Sequence, residues 1–372
     1  MSITAEIHSN TQYRFVASTE NPLILQFGRQ LEEVIVAYET YGKLNAQADN
    51  AVLVCHALTG NAHVADLDID GQPSLTADGQ PRGWWNGLIG KGKIFDPSEH
   101  FIICSNVLGG CYGTTGPRSI DPNTGERYGT DFPTITVRDM VAVQYRLLQQ
   151  LGVRRLDTVI GASLGGMQVL EWGAMHGDII NKIVPIATSA RHSAWAIGLN
   201  ETARLAIQND PAWLKGDYTD QPESGLSLAR MIAMVTYRSH PAYEKRFGRE
   251  ENGGEAKYRF KVENYLRYQG RKLVKRFDAN TYLTITRAMD AHDLKRDRNV
   301  NGVLPISCEA LCIGISSDVL YPPEEQRDIV ESIPGAHYAE IDSIHGHDAF
   351  LIEFEQLAGI IEDWVDAGVS RE

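Results

Sequence analysis

Apolar residues along this chain fall into two rhythms. The first is short: apolar runs bounded by turn-forming positions, the mark of strands buried on both faces. Such runs occupy residues 51–56, 101–105, 157–160, 182–187 and 310–315, with a further one at 338–341. Val34, Val36 and Tyr38 repeat at a spacing of two and predict an early strand. The second rhythm is helical. Met140, Val143, Leu147 and Leu151 line one face of a helix predicted over 137–151, with Thr136 placed to cap it. Further helices are predicted over 167–172, 323–332 and 349–364. Strands and helices in alternation predict an α/β fold, a mostly parallel sheet with helices on both faces. From about 189 to 302 the alternation stops and only helical patterns appear. The predicted organisation is therefore a core of residues 1–188 and 303–372 and an inserted helical cap (lid) of residues 189–302.

Composition adds constraints. A chain of 372 residues that is 43% hydrophobic and 22% charged has ordinary globular composition and suits one core with an insertion. Residues 1–20 lack the charged, apolar and small-residue succession of a signal peptide, and no apolar run approaches the roughly 18 residues of a membrane helix. The five cysteines are scattered and odd in number, which predicts free thiols and a reducing, cytoplasmic setting. Cys308 and Cys312 read as buried thiols. A net charge of −13 argues against a nucleic-acid partner. Residues 257–276 reverse that balance, with eight basic residues and one acidic one, Glu263. They read either as a solvated helix face or as a surface attracting a phosphorylated ligand through residues such as Arg271 and Lys272.

The sharpest chemical signal is Gly161-Ala162-Ser163-Leu164-Gly165-Gly166, between the strand at 157–160 and the helix at 167–172. Gly-x-Ser-x-Gly in that context marks a nucleophile elbow, which lifts the serine above the sheet at the positive end of a helix. A dinucleotide loop needs glycine where Ser163 stands, and the strand at 182–187 ends without the acidic residue that would hold a ribose. The Gly/Thr-rich stretch 109–117 lacks the Gly-Lys-Ser/Thr of a phosphate loop.

A serine hydroxyl needs a base, and the base an orienter. The expected chain order is serine, acid, histidine, each on a loop after a strand end. Asp318 lies three residues past the strand ending at Ile315. His345 and His347 both follow the strand ending near Ile341, and spacing does not choose between them. His-Gly-His also suits a metal, but no further ligand of matching spacing accompanies it, so no metal is expected. One oxyanion donor should be the amide of Leu164. A second should come from the loop His56-Ala57-Leu58-Thr59-Gly60.

Longer stretches extend the picture. They include Ala37-Tyr38-Glu39-Thr40-Tyr41-Gly42, Cys55-His56-Ala57-Leu58-Thr59-Gly60, Gly83-Trp84-Trp85 and Asn106-Val107-Leu108-Gly109-Gly110-Cys111. Thr114-Thr115-Gly116-Pro117, Ala229-Arg230-Met231, Thr236-Tyr237-Arg238-Ser239, Phe277-Asp278-Ala279-Asn280-Thr281-Tyr282 and Gly346-His347-Asp348-Ala349-Phe350-Leu351 follow. In these and in the elbow the chain resembles the homoserine O-acetyltransferase family, of the α/β-hydrolase fold, over nearly its whole length.

The resemblance implies that the catalytic histidine is His347, with Ser163 as nucleophile and Asp318 as orienter. It implies Leu58 as the second oxyanion amide, and Arg230, Tyr237 and Asp348 as contacts of the amino-acid substrate. An arginine fork suits the carboxylate of homoserine, and Asp348 suits its ammonium group. Arg230 and Tyr237, seven apart on a helical pattern, face one side. The implied reaction moves acetyl from acetyl-CoA to L-homoserine through an acetyl-Ser163 intermediate, in methionine biosynthesis. It implies no permanently bound cofactor, small-molecule partners and a homodimer. Similar enzymes that use succinyl-CoA carry an arginine where this chain has Leu320. A leucine cannot neutralise the succinyl carboxylate, so the acetyl donor is favoured. Homoserine O-succinyltransferase, serine O-acyltransferase and carboxylesterase are the alternatives on the same scaffold.

Overall fold

The computed structural model describes residues 10–74, 82–253, 259–298 and 302–369. Its eight-stranded sheet comprises β1 (Gln12–Ala17), β2 (Val34–Tyr41), β3 (Ala51–Cys55), β4 (Phe101–Ser105), β5 (Leu156–Ala162), β6 (Ile180–Ile186), β7 (Glu309–Ile315) and β8 (His337–Ile341). In space the order is β1-β2-β4-β3-β5-β6-β7-β8. β2 runs antiparallel to β1 and β4, and the remaining neighbours are parallel. The helices are α1 (Val137–Gln150), α2 (Leu164–His176), α3 (Ala194–Gln208), α4 (Glu223–Tyr237), α5 (His240–Arg246), α6 (Lys261–Val274), α7 (Ala279–Asp290), α8 (Pro323–Ser332) and α9 (Phe354–Val369).

The sheet has helices on both faces because its central strands are apolar on both. Along β3, Val52 and Val54 pack in one layer with Leu357 and Ile361 of α9. Ala51, Leu53 and Cys55 point the other way, into a layer with α1, α2 and α8. Full burial of a side chain such as Leu53 contributes roughly 1.5–3 kcal/mol relative to exposure. α1 starts where predicted: the Thr136 hydroxyl accepts from the Asp139 amide at 3.3 Å, and the Asp139 carboxylate accepts from the Thr136 amide at 2.7 Å. This reciprocal capping box satisfies two otherwise orphaned helix donors.

Between β6 and β7 the chain runs through α3 to α7 and adds no strand to the sheet among the described residues. α4 packs between α3 and α6, and α7 lies on α3. Two side chains tie this helical stretch to loops at the sheet's edge. Trp195 donates its indole N–H to the Val319 carbonyl at 3.0 Å, and Arg276 donates to the Thr59 carbonyl at 2.6 Å.

Three details differ from the sequence reading. β1 was not anticipated: it is an edge strand whose residues 13–15 are exposed, so it lacks a buried run. The last helix begins at Phe354 rather than near 349, because residues Gly346–Leu351 form a separate 3₁₀ turn and Ile352 breaks helical geometry with φ −131° and ψ −48°. Cys312 is buried, but Cys308 is only partly so. Among the described residues no helix is long and apolar enough to cross a membrane.

Candidate active site

β5 delivers the chain into a turn so tight that Ser163 sits at φ 60° and ψ −124°. That conformation is unfavourable for any residue with a Cβ and persists only where its surroundings hold it. Here the Ser163 N–H donates to the Ile186 carbonyl on β6 at 3.0 Å. The Thr188 hydroxyl donates to the Ser163 carbonyl at 2.8 Å. The flanking glycines are obligatory by contact. A Cβ on Gly161 would lie 2.6 Å from the Cys55 carbonyl oxygen, and one on Gly165 would overlap the same atom. The end of β3 therefore rests directly on the elbow, which places the loop carrying Leu58 beside Ser163.

The other two groups arrive from β7 and β8. His347, in the 3₁₀ turn after β8, donates from Nδ1 to Asp318 Oδ2 at 2.6 Å. The other Asp318 oxygen accepts from the amides of Leu320 (2.8 Å) and Tyr321 (3.0 Å). These bonds fix the carboxylate and leave Nε2 of the neutral ring as the unprotonated nitrogen. Burial works against a charge on His347, but the charge and hydrogen bond of Asp318, joined by the charge of Asp348, outweigh it. They hold the imidazole above its ordinary value of 6.5. His345 takes no part: its side chain is 36% exposed and lies 4.0 Å from Glu353. The structure thus pairs His347, and not His345, with Asp318.

Ser163, Leu58, Leu320, Tyr237 and Tyr321 line a single cavity, and the rings of Tyr237 and Tyr321 lie 5.6 and 5.3 Å from that of His347. Among the described residues neither the Leu58 nor the Leu164 amide donates to a protein acceptor. The loop bearing Leu58 is braced from below. Burial pushes His56 down to about 4, against the pull of the Ala57 carbonyl. Its neutral ring accepts from the Val107 amide at 3.1 Å and bonds the Ala57 carbonyl at 2.8 Å. Gln168 donates to the carbonyls of both His56 and Leu164 at 3.2 Å, tying the loop to α2. Arg276 holds it from the helical insertion.

Arg230 and Tyr237 share one face of α4, as their spacing required, with the guanidinium carbon 5.3 Å from the ring centroid. Asp348 pairs with Arg238 at 3.0 Å. Burial raises the Asp348 carboxyl, while Arg238, Arg230 and His347 pull it back. No sequence pattern points to a role for Arg238, or for His192 on the cavity wall. His192 bonds Asp290 at 3.1 Å and the Tyr321 hydroxyl at 3.0 Å. Those partners are distant in sequence, so no local pattern announces them. In the basic segment Arg271 and Lys272 are exposed and Arg276 turns inward to Thr59 and Tyr112. Lys257 lies outside the described residues. Among the described residues no group of three or more His, Cys, Asp or Glu side chains could hold a metal ion.

A serine on a strained elbow at a cavity and a buried histidine–aspartate pair are the groups of an α/β hydrolase suited to acyl chemistry. Residues 50–354 match the alpha/beta hydrolase fold family. The chain is 52% identical over 349 residues to a homoserine O-acetyltransferase of Chloroherpeton thalassium, covering 93% of this chain and 87% of that one. Among solved structures, a homoserine O-acetyltransferase from Bacillus anthracis superposes with a TM-score of 0.85 at 27% identity, over 95% and 96% of the two chains. Esterase E22 superposes with a TM-score of 0.83 at 25% identity, over 95% and 99%. The chain belongs to the homoserine O-acetyltransferase family of α/β hydrolases.

Two predictions follow from this geometry. If His347 works as a base, the acid limb of kcat/KM reports its deprotonation and lies above pH 6.5. Asp318→Asn should shift that limb downward and lower kcat by about 10⁴-fold; a pH–rate profile unchanged by the substitution contradicts the pairing. Gly165→Ala should destabilise the fold by about 1–3 kcal/mol, because the methyl group meets backbone that cannot yield. Urea denaturation reads this, and an unchanged midpoint argues against the contact with Cys55.

Proposed function

We infer that this protein is a homoserine O-acetyltransferase, moving acetyl from acetyl-CoA to the hydroxyl of L-homoserine through an acetyl-Ser163 intermediate. The observation that carries this reading is the charged set beside the catalytic turn. Arg230, Arg238 and Asp348 interact with one another and together would suit a zwitterionic amino acid, a provision that a simple carboxylesterase does not need. The high identity to named acetyltransferases over most of the chain supports the same reading.

In the first half-reaction His347 Nε2 takes the Ser163 proton as Oγ attacks the thioester carbon. The amides of Leu58 and Leu164 receive the developing oxyanion, where one lost donor typically costs about 100- to 1,000-fold in turnover. The carbon–sulfur bond breaks, His347 returns the proton to the CoA sulfur, and acetyl-Ser163 remains. Homoserine then enters, its carboxylate on Arg230 and its ammonium group on Asp348, with Tyr237 beside them. His347 takes the homoserine hydroxyl proton as that oxygen attacks the acetyl carbon, and Ser163 leaves with the proton restored. The balance closes without a permanently bound cofactor. Residues 189–302 serve as the lid on a core of 1–188 and 303–372. Their grip on the Leu58 and Asp318 loops supports exclusion of water, which favours transfer over hydrolysis. The working form under this reading is a cytoplasmic homodimer.

Leu320 sets the donor. It is buried beside Ser163, and an unpaired succinyl carboxylate against it would cost several kcal/mol, on the order of 2–7. The test is thiol release from acetyl-CoA and succinyl-CoA, each with homoserine, serine or no acceptor, with products identified by mass. Fast release is expected only with acetyl-CoA and homoserine, and Leu320→Arg should gain succinyl transfer. Equal release without an acceptor would make the protein a hydrolase. Preference for succinyl-CoA or serine would overturn the substrate assignment.

A further inference from the structure

Beside the catalytic turn lies a second, larger depression, an open groove of about 330 Å³. That is within the roughly 300–1,000 Å³ typical of small-molecule sites. Its cations are Arg238, Lys245 and Arg246, its rings Tyr243, Phe247 and Tyr265, and one end is formed by Ile344 and His345. Among the described residues no carboxylate lines it, although the chain carries a net charge of −13. Among the described residues no acidic side chain pairs with Lys245 or Arg246.

The groove is built rather than incidental. The guanidinium of Arg246 lies 4.6 Å from the centroid of Tyr265 and 5.1 Å from that of Phe247, and the two rings are 5.0 Å apart. Tyr243 is anchored by its hydroxyl, which donates to the Met234 carbonyl at 2.9 Å. The groove is also joined to the catalytic turn. Ser239 donates to the Ile344 carbonyl, and a Cβ on Gly346 would lie 2.7 Å from the Ser239 amide. Arg238 reaches from the groove to Asp348, the residue after His347.

Lys245 and Arg246, which have no acidic partner among the described residues, with Arg246 set on aromatic rings, suit a phosphorylated aromatic base: cations take the phosphates and the rings take the base. We propose that this groove binds the phosphorylated adenine nucleotide of the acyl-CoA donor, with the pantetheine arm running past Ile344 and His345 toward Ser163. The proposal rests on the acetyl-CoA assignment made above. It places nucleotide recognition on α5, Tyr265 and the catalytic turn, and leaves the exposed Arg271 and Lys272 as solvated surface. Acceptor and donor are then held on separate groups, with Arg238 at the boundary between them.

The test uses the full-length protein, the variants Lys245→Ala and Arg246→Ala, and two donors. One donor is acetyl-CoA and the other is S-acetyl-N-acetylcysteamine, which carries the thioester without the nucleotide. Each variant should raise the KM for acetyl-CoA about tenfold, the value of one lost charge-assisted contact. The KM for homoserine and the rate with the truncated donor should stay unchanged. Independently of turnover, calorimetry with adenosine 3′,5′-bisphosphate should detect binding to the parent protein and weaker binding to both variants. Lys245→Ala keeps the test readable if Arg246→Ala disturbs the aromatic cluster. No binding of the bisphosphate to the parent protein, or an equal loss with both donors, overturns the proposal. Bisphosphate binding without acetyl-CoA turnover would instead leave the groove assignment standing and remove the acetyltransferase reading.

Discussion

The contact on which the site depends is that between the Cys55 carbonyl at the end of β3 and the backbone of the elbow at Gly161 and Gly165. Because no side chain intervenes, β3, β5 and the start of α2 come together closely enough to force Ser163 to φ 60°. The strain is held by bonds from Ser163 to β6 and from Thr188, so the position of Ser163 is a property of the sheet. The same approach brings the Leu58 loop to the serine. The placement of the Ser163 hydroxyl and of the Leu58 loop is thus a consequence of a single packing constraint and does not depend on a flexible side chain.

Around that fixed point, two kinds of polar group are treated differently. Asp318 is buried but accepts three hydrogen bonds, one from the imidazole and two from amides, so it orients His347 without moving. Asp348 is balanced instead among Arg238, Arg230 and His347. Esterase E22, at a TM-score of 0.83, shares the overall architecture. Fold alone therefore does not separate transfer from hydrolysis, and the difference must lie in what the cavity holds and excludes.

Much of this was legible in the sequence because the central strands are apolar on both faces and cannot be confused with surface. The elbow and Asp318 followed from topology, since loops at strand ends carry the chemistry in such sheets. What stayed hidden was either polar or distant. β1 exposes residues 13–15 and gives no buried run. The two histidines of one turn differ only in which way the backbone aims them, and Gly346, at φ 68°, sets that direction between them. The bonds of His192 to Asp290 and Tyr321 join segments whose proximity only the folded chain creates. The 3₁₀ turn at Gly346–Leu351 carries apolar residues spaced like those of a helix, and periodicity merges it with α9.

The measurement that bears most directly on an acetyl-Ser163 intermediate is rapid-quench mass spectrometry of the protein mixed with acetyl-CoA alone, followed by addition of homoserine. One acetyl group is expected on the peptide containing Ser163, stable on the time scale of turnover in water and discharged to O-acetylhomoserine when homoserine arrives. Turnover with no acetylated Ser163 at any time, or an acetyl group that water removes as fast as homoserine does, would contradict it.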